Sequence, residues 1–84
     1  MNATYSASEY KTITPSDTLK LTNASGNITR CRGVYIGGAG NLAVKDEKNN
    51  AVTFVSLAVG VIHPISTDQI MNTNTTATNI VALF

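Results

Sequence analysis

His63, Ser66 and Asp68 fall close together in the chain, and an imidazole, a hydroxyl and a carboxylate are the parts of an acyl-transfer triad. Such a triad needs the nucleophile within hydrogen-bond reach of the base and a third group to orient the ring. Here the histidine adjoins Pro64 rather than another titratable group, and a chain so rich in Ser and Thr offers the same trio by composition alone. The blander reading, an imidazole at the surface or in an interface, is preferred. His63 is the single histidine and Cys31 the single cysteine, so one chain cannot fill a zinc site or close an internal disulfide. Cys31 reads as a small buried thiol beside a strand. The carboxylates Glu9, Asp17, Asp46, Glu47 and Asp68 show no spacing that commits two of them to acid–base work. Gly37-Gly38-Ala39-Gly40 resembles a phosphate loop only in glycine content. Such loops feed a helix N-terminus, whereas Asn-Leu-Ala-Val-Lys follows here and reads as a strand, so a hairpin turn is expected. The sequence therefore predicts no catalytic residue, no cofactor, no metal and no enzymatic activity.

What must be positioned, then, is a surface. Eighty-four residues make one domain with a modest core. With 43% hydrophobic residues the chain is not disordered, and with only 13% charged residues it must cover itself with neutral Thr, Asn and Ser. A net charge of +1 with scattered basic residues argues against nucleic acid, which needs clustered Lys and Arg to displace phosphate counterions. Few charges also suit a subunit that packs against neighbours. The N-terminal residues lack the basic start and apolar stretch of a signal peptide, and no run approaches the ~18 apolar residues of a membrane span. The sequons at Asn2, Asn23, Asn27 and Asn74 read as a by-product of an Asn/Thr-rich composition.

The elements follow from period-2 alternation bounded by turn residues. Arg32–Ile36, Asn41–Lys45 and Ala51–Val55 are expected to form a three-strand meander at the centre. Before it come an edge strand at Tyr10–Ile13, a turn at Thr14-Pro15-Ser16-Asp17, a strand at Thr18–Leu21 and a loop at Thr22–Asn27. After it come a strand from Leu57 to Ile62 ending at Pro64, a short strand at Asp68–Met71, a loop at Thr73–Thr78 and a final strand at Asn79–Phe84. The expected core is Leu19, Leu21, Val34, Ile36, Leu42, Val44, Val52 and Phe54, with Leu57 nearby. No segment shows helical periodicity. The fold class is all-β: a small antiparallel sandwich or barrel of about seven or eight short strands, residues 12–84, preceded by a polar N-terminal arm, residues 1–11.

Several segments in order resemble one family. They are Ile13-Thr14-Pro15-Ser16-Asp17-Thr18, then Cys31–Val44 with its Tyr-Ile-Gly-Gly-Ala-Gly-Asn-Leu-Ala-Val run, then Val52-Thr53-Phe54 and Gly60-x-Ile62-x-Pro64. The closing stretch Thr75-Thr76-Ala77-Thr78-Asn79-Ile80-Val81-Ala82-Leu83-Phe84 completes the pattern. Together they are similar to the small head spike-base and capsid decoration proteins of tailed phages and gene transfer agents, over roughly residues 12–84. The resemblance implies a virion structural protein on the exterior of the capsid, made in the host cytoplasm. It would be a homo-oligomeric decoration or cement subunit, or a vertex spike base, that stabilises the shell or anchors a head fibre. Implied partners are other copies of itself as a trimer or pentamer, the major capsid protein and a head fibre protein; neither nucleic acid nor membrane is among them. The family supplies no catalytic residues to carry over.

Aromatic and arginine side chains dominate the energetics of such contacts. The interface candidates are accordingly Tyr5 and Tyr10 on the arm, Arg30 and Arg32, Tyr35, His63 and Pro64 at an edge, and Phe84. The alternative function is a carbohydrate- or receptor-binding β-module of a virion, using Asn/Thr loops. It is disfavoured because sugars usually stack on exposed aromatics and this chain has no Trp.

Overall fold

The structure, a computed structural model, describes residues 7–23 and 25–84. Tyr5 therefore lies outside the described residues. The described chain is all-β, with six strands: β1 Tyr10–Ile13, β2 Gly33–Gly38, β3 Gly40–Lys45, β4 Ala51–Leu57, β5 Ile62–His63 and β6 Thr78–Leu83. β1, β6, β2 and β5 form one antiparallel sheet in that order, and β3 and β4 form a second. The expected Asp68–Met71 strand shrinks to a single bridge of Ile70 with Val44, and a further bridge pairs Thr22 with Ile28 across the expected loop.

The alternating apolar positions of β2, β3 and β6 meet between the sheets. Val34, Ile36, Leu42, Val44, Ile80 and Ala82 are all buried there, joined by Leu21, Cys31, Ile70, Ala77 and Phe84. Phe84 is also tied down by its backbone: its N–H donates to the Glu9 carbonyl, and its own carbonyl accepts from Ser8 and Glu9. Residues 8–11 thus run beside the end of β6.

The central meander does not form. β2 has β6 on one side and β5 on the other, so no edge is left for β3. The Gly-rich corner is consequently not a hairpin; it passes the chain from one sheet to the other. Gly40 makes this possible with φ +155°, and a Cβ there would lie 2.5 Å from Ala77 N and 2.6 Å from the Thr76 carbonyl carbon. β3 instead takes β4 on one edge. On the other it takes the 69–77 segment, through Lys45 N–H to Gln69 C=O, Met71 N–H to Ala43 C=O, and the N–H groups of Ala77 and Thr76 to Asn41 C=O.

Three expected core residues are also misplaced. Leu19 is 71% exposed because the Thr18–Leu21 strand does not form: the Ser16 hydroxyl accepts the N–H groups of Thr18 and Leu19 and curls the segment into a turn. Val52 and Phe54 share a face with the buried Val44 and Leu42, opposite them in register, yet are 46% and 37% exposed. The two-stranded sheet overhangs its partner, so that among the described residues Val52 and Phe54 face an open groove, while Leu57 at the end of β4 still packs on the core. The expected Leu57–Ile62 strand is divided likewise: β4 ends at Leu57, residues 58–61 turn, and the Gly60 N–H reaches the Ile36 carbonyl before β5 begins.

Candidate functional site

The overhang leaves an open groove. Val44, Lys45, Asp46, Val52, Phe54 and Leu57 form one wall and His63, Pro64, Ile65 and Ser66 the other, around a cavity of about 470 Å³. β3 sets the floor, because its buried Val44 is clamped between β4 and the bridge to Ile70. The β3–β4 hairpin sets one end. The Asp46 carboxylate accepts the N–H groups of Lys48 and Asn50, both at 2.9 Å, which closes the turn and allows Asn49 its φ of +67°. These bonds, the one from Asn50 first, hold the Asp46 carboxyl below the ordinary carboxylate range.

The far wall is fixed by polar bonds that also decide what the site can do. The His63 Nε2 donates to the Ala58 carbonyl at 2.8 Å, which pins the imidazole against the 58–61 turn. Ser66 faces the guanidinium of Arg30, whose Nη2 donates to its carbonyl at 2.9 Å and whose Nε reaches its hydroxyl at 3.4 Å. Asp68 pairs with Lys20 at 3.0 Å. The three residues of the notional triad therefore each hold a different partner, and the geometry does not assemble them for acyl transfer. Cys31 is fully buried, its thiol 3.3 Å from the Ile65 carbonyl. Burial pushes that thiol above its ordinary pKa, the opposite of what a nucleophile needs. No group of three or more metal-binding side chains is found among the described residues.

Of the expected interface residues, His63 and Pro64 line the groove, and Arg30 braces its wall through Ser66. Tyr10 is 67% exposed on β1, its hydroxyl donating to the Ala7 carbonyl at 3.1 Å. Arg32, just before β2, is exposed, and Tyr35 is half-buried on the face of β2 opposite Val34 and Ile36. Phe84 belongs to the core of its own chain and has little surface left for a neighbour. Sequence reasoning missed the larger feature: Val52, Phe54, Val55, Val59, Val61 and Ile62 form an exposed apolar run along β4 and the following turn. One signal was readable. Ala51-Val-Thr-Phe-Val-Ser-Leu57 has no charge on either face, which an exposed edge strand normally carries.

No protein-family model and no curated protein matches the chain. Among solved structures it is similar to a chain in the capsid of a native GTA (gene transfer agent) particle, computed with C5 symmetry. The TM-score is 0.77 at 29% identity, over 94% of this chain and 84% of that one. The fold is one found in a capsid. A likeness of that extent supports a structural, capsid-related protein.

Proposed function

We propose that this chain is a virion structural protein on the exterior of a tailed-phage or gene-transfer-agent head. It acts there as a homo-oligomeric decoration, cement or vertex spike-base subunit. The observation that carries this reading is the shared fold with a GTA capsid chain over nearly the whole length. The physical chemistry supports it. Only 13% of residues are charged, the β4 face is apolar, and a small domain with a thin core gains stability by burying surface against neighbours.

Its mechanism is mechanical. Each copy contributes a stiff sheet pair, closed by buried polar bonds, and an uncharged flank by which copies and shell adhere. A trimer at a threefold position would tie neighbouring capsid subunits together; a pentamer at a vertex would give a fibre its footing. The role needs no catalytic group, and the separate partners of His63, Ser66 and Asp68 fit that.

The test is binding of the purified chain to heads that lack it, followed by imaging of the decorated particles. Density on the outer surface at vertices or at threefold positions is the expected result, and the position distinguishes spike base from cement. Heads that remain bare at saturating chain concentration would reject the proposal.

A further inference from the structure

The sheet registers show which backbone groups each outer strand turns away from the molecule. In β3 the N–H groups of Asn41, Ala43 and Lys45 point to the 69–77 side, so Leu42 and Val44 are the residues bonded to β4, through Phe54 and Val52. Alternation then directs the N–H and C=O groups of Thr53 outwards, with those of Val55 following. On the opposite flank Glu9 and Phe84 exchange bonds, so Lys11 and Ile13 continue the ladder to β6 and Tyr10 and Thr12 turn outwards. Among the described residues β4, seven residues long, and β1, four residues long, thus each turn a row of backbone groups away from their own sheet. β5 flanks the groove with β4, while β1 lies three strand positions away across the four-stranded sheet, about 14 Å at the usual strand spacing.

Their chemistry differs too. Val52 and Phe54 on the groove face of β4, Val55 on its other face, and Val59, Val61 and Ile62 in the turn and β5 together expose on the order of 500 Å² of apolar residue surface around that edge, against about 800 Å² per partner in a standard interface. A long, uncharged, apolar edge is a template for another strand, and soluble proteins cover or charge such edges. Without a charged group on β4 itself, nothing on that strand selects an acidic or basic partner. A nearly neutral copy of the same chain, offering its own open edge, fits.

We propose that copies of this chain join head to tail, the β4 edge of one adding to the β1 edge of the next, with the seam covering the apolar groove beside β4. This deepens the homo-oligomer reading above and rests on it. A contact between two different edges is heterologous, so repetition builds a ring or a filament rather than stopping at a twofold dimer, and an oligomer of fixed size on a head requires the ring.

Proline at an outward position of an edge strand removes only the free N–H and leaves the internal ladder intact. Thr53→Pro therefore blocks the β4 edge and Thr12→Pro the β1 edge, each sparing the other. Measured by light scattering on a sizing column, the wild-type chain should be a closed ring and each variant a monomer with retained β circular dichroism. An equimolar mixture should give a heterodimer, because one good edge of each kind remains. Val55→Lys, which leaves the backbone untouched and places a charge in the seam, should also give monomers. The inference is overturned by a monomeric wild type, by variants that keep the ring, by a mixture that stays monomeric, or by Thr12→Pro dimerising alone, which would mean β4 pairs with itself. Head binding by the wild type separates the two claims. A ring that ignores heads removes the virion reading, whereas seam variants that remain rings on the column remove the seam.

Discussion

Removing one hydroxyl tests how the two halves of the molecule are held together. Thr67 is 0% exposed. Its Oγ1 donates to the Lys45 carbonyl at 2.6 Å, approaches the Gln69 carbonyl at 3.1 Å, and accepts the Gln69 N–H at 3.2 Å. A hydroxyl has one proton, so the short bond to Lys45 takes it, and the Gln69 carbonyl is satisfied instead by the Lys45 N–H. Thr67→Val keeps the shape and opens no cavity, but it strands one buried acceptor and one buried donor. The two cost about 1–3 kcal/mol each, and because the Lys45 carbonyl is only partly buried the lower half of the summed range applies; offset by somewhat under 1 kcal/mol for the added apolar group, the net loss should be about 2–3 kcal/mol. For a domain of this length that is roughly 10–20 °C in Tm. Urea unfolding at matched chain concentration should show the midpoint fall with an unchanged slope. Thr67→Ser, which keeps the hydroxyl, should lose only about 1 kcal/mol. A Thr67→Val chain within about 0.5 kcal/mol of wild type would refute the reasoning, since the junction would then not depend on this bond.

Other outcomes follow from single positions. Gly40→Ala should destabilise by more than about 2 kcal/mol, because its Cβ meets backbone at the sheet-to-sheet corner, whereas Gly26→Ala, with φ +85° and open space around it, should lose about 1 kcal/mol; thermal melts compare the two. Asp17 accepts the N–H groups of Asn72 and Thr73 and the Thr73 hydroxyl, which holds its carboxyl below the ordinary range. A depressed folded pKa contributes stability above the unfolded value of about 4 and loses it as pH falls through the folded one. Asp17→Asn should therefore melt below wild type at pH 7, and the gap should close as acid protonates the carboxyl in the folded state; a gap independent of pH would contradict this. The Cys31 thiol should resist a thiol reagent at pH 8 in the native protein and react at once in urea, and fast native labelling would show that the 30–31 and 65–67 segments separate.

Faces were legible in the sequence where partners were not. Val34, Ile36, Leu42 and Val44 could be assigned to the core because alternation fixes which side of a strand a residue takes. Alternation is silent about which strand lies alongside, so β2 and β3 looked like neighbours when each had found other partners. Val52 and Phe54 were given the correct face, but burial depends on what covers that face, and here nothing within the described chain does. Leu19 was lost to a local competitor, the Ser16 hydroxyl. Thr67 could not be singled out at all, since a buried hydroxyl looks in sequence like any surface threonine. For the site, His63 and Pro64 were legible as edge residues. The groove itself arises from an overhang between sheets that no local pattern encodes.

β6 sits in the middle of its sheet, between β1 and β2, although it comes last among the described strands. While residues 78–83 are still inside the ribosome, β1 has no neighbour and β2 holds only the two-residue β5. Folding must therefore wait until synthesis has passed β6, and it closes long loops when it comes, which places it among slow, millisecond-to-second processes. Whatever this chain assembles with would meet a finished unit, never a half-folded nascent chain.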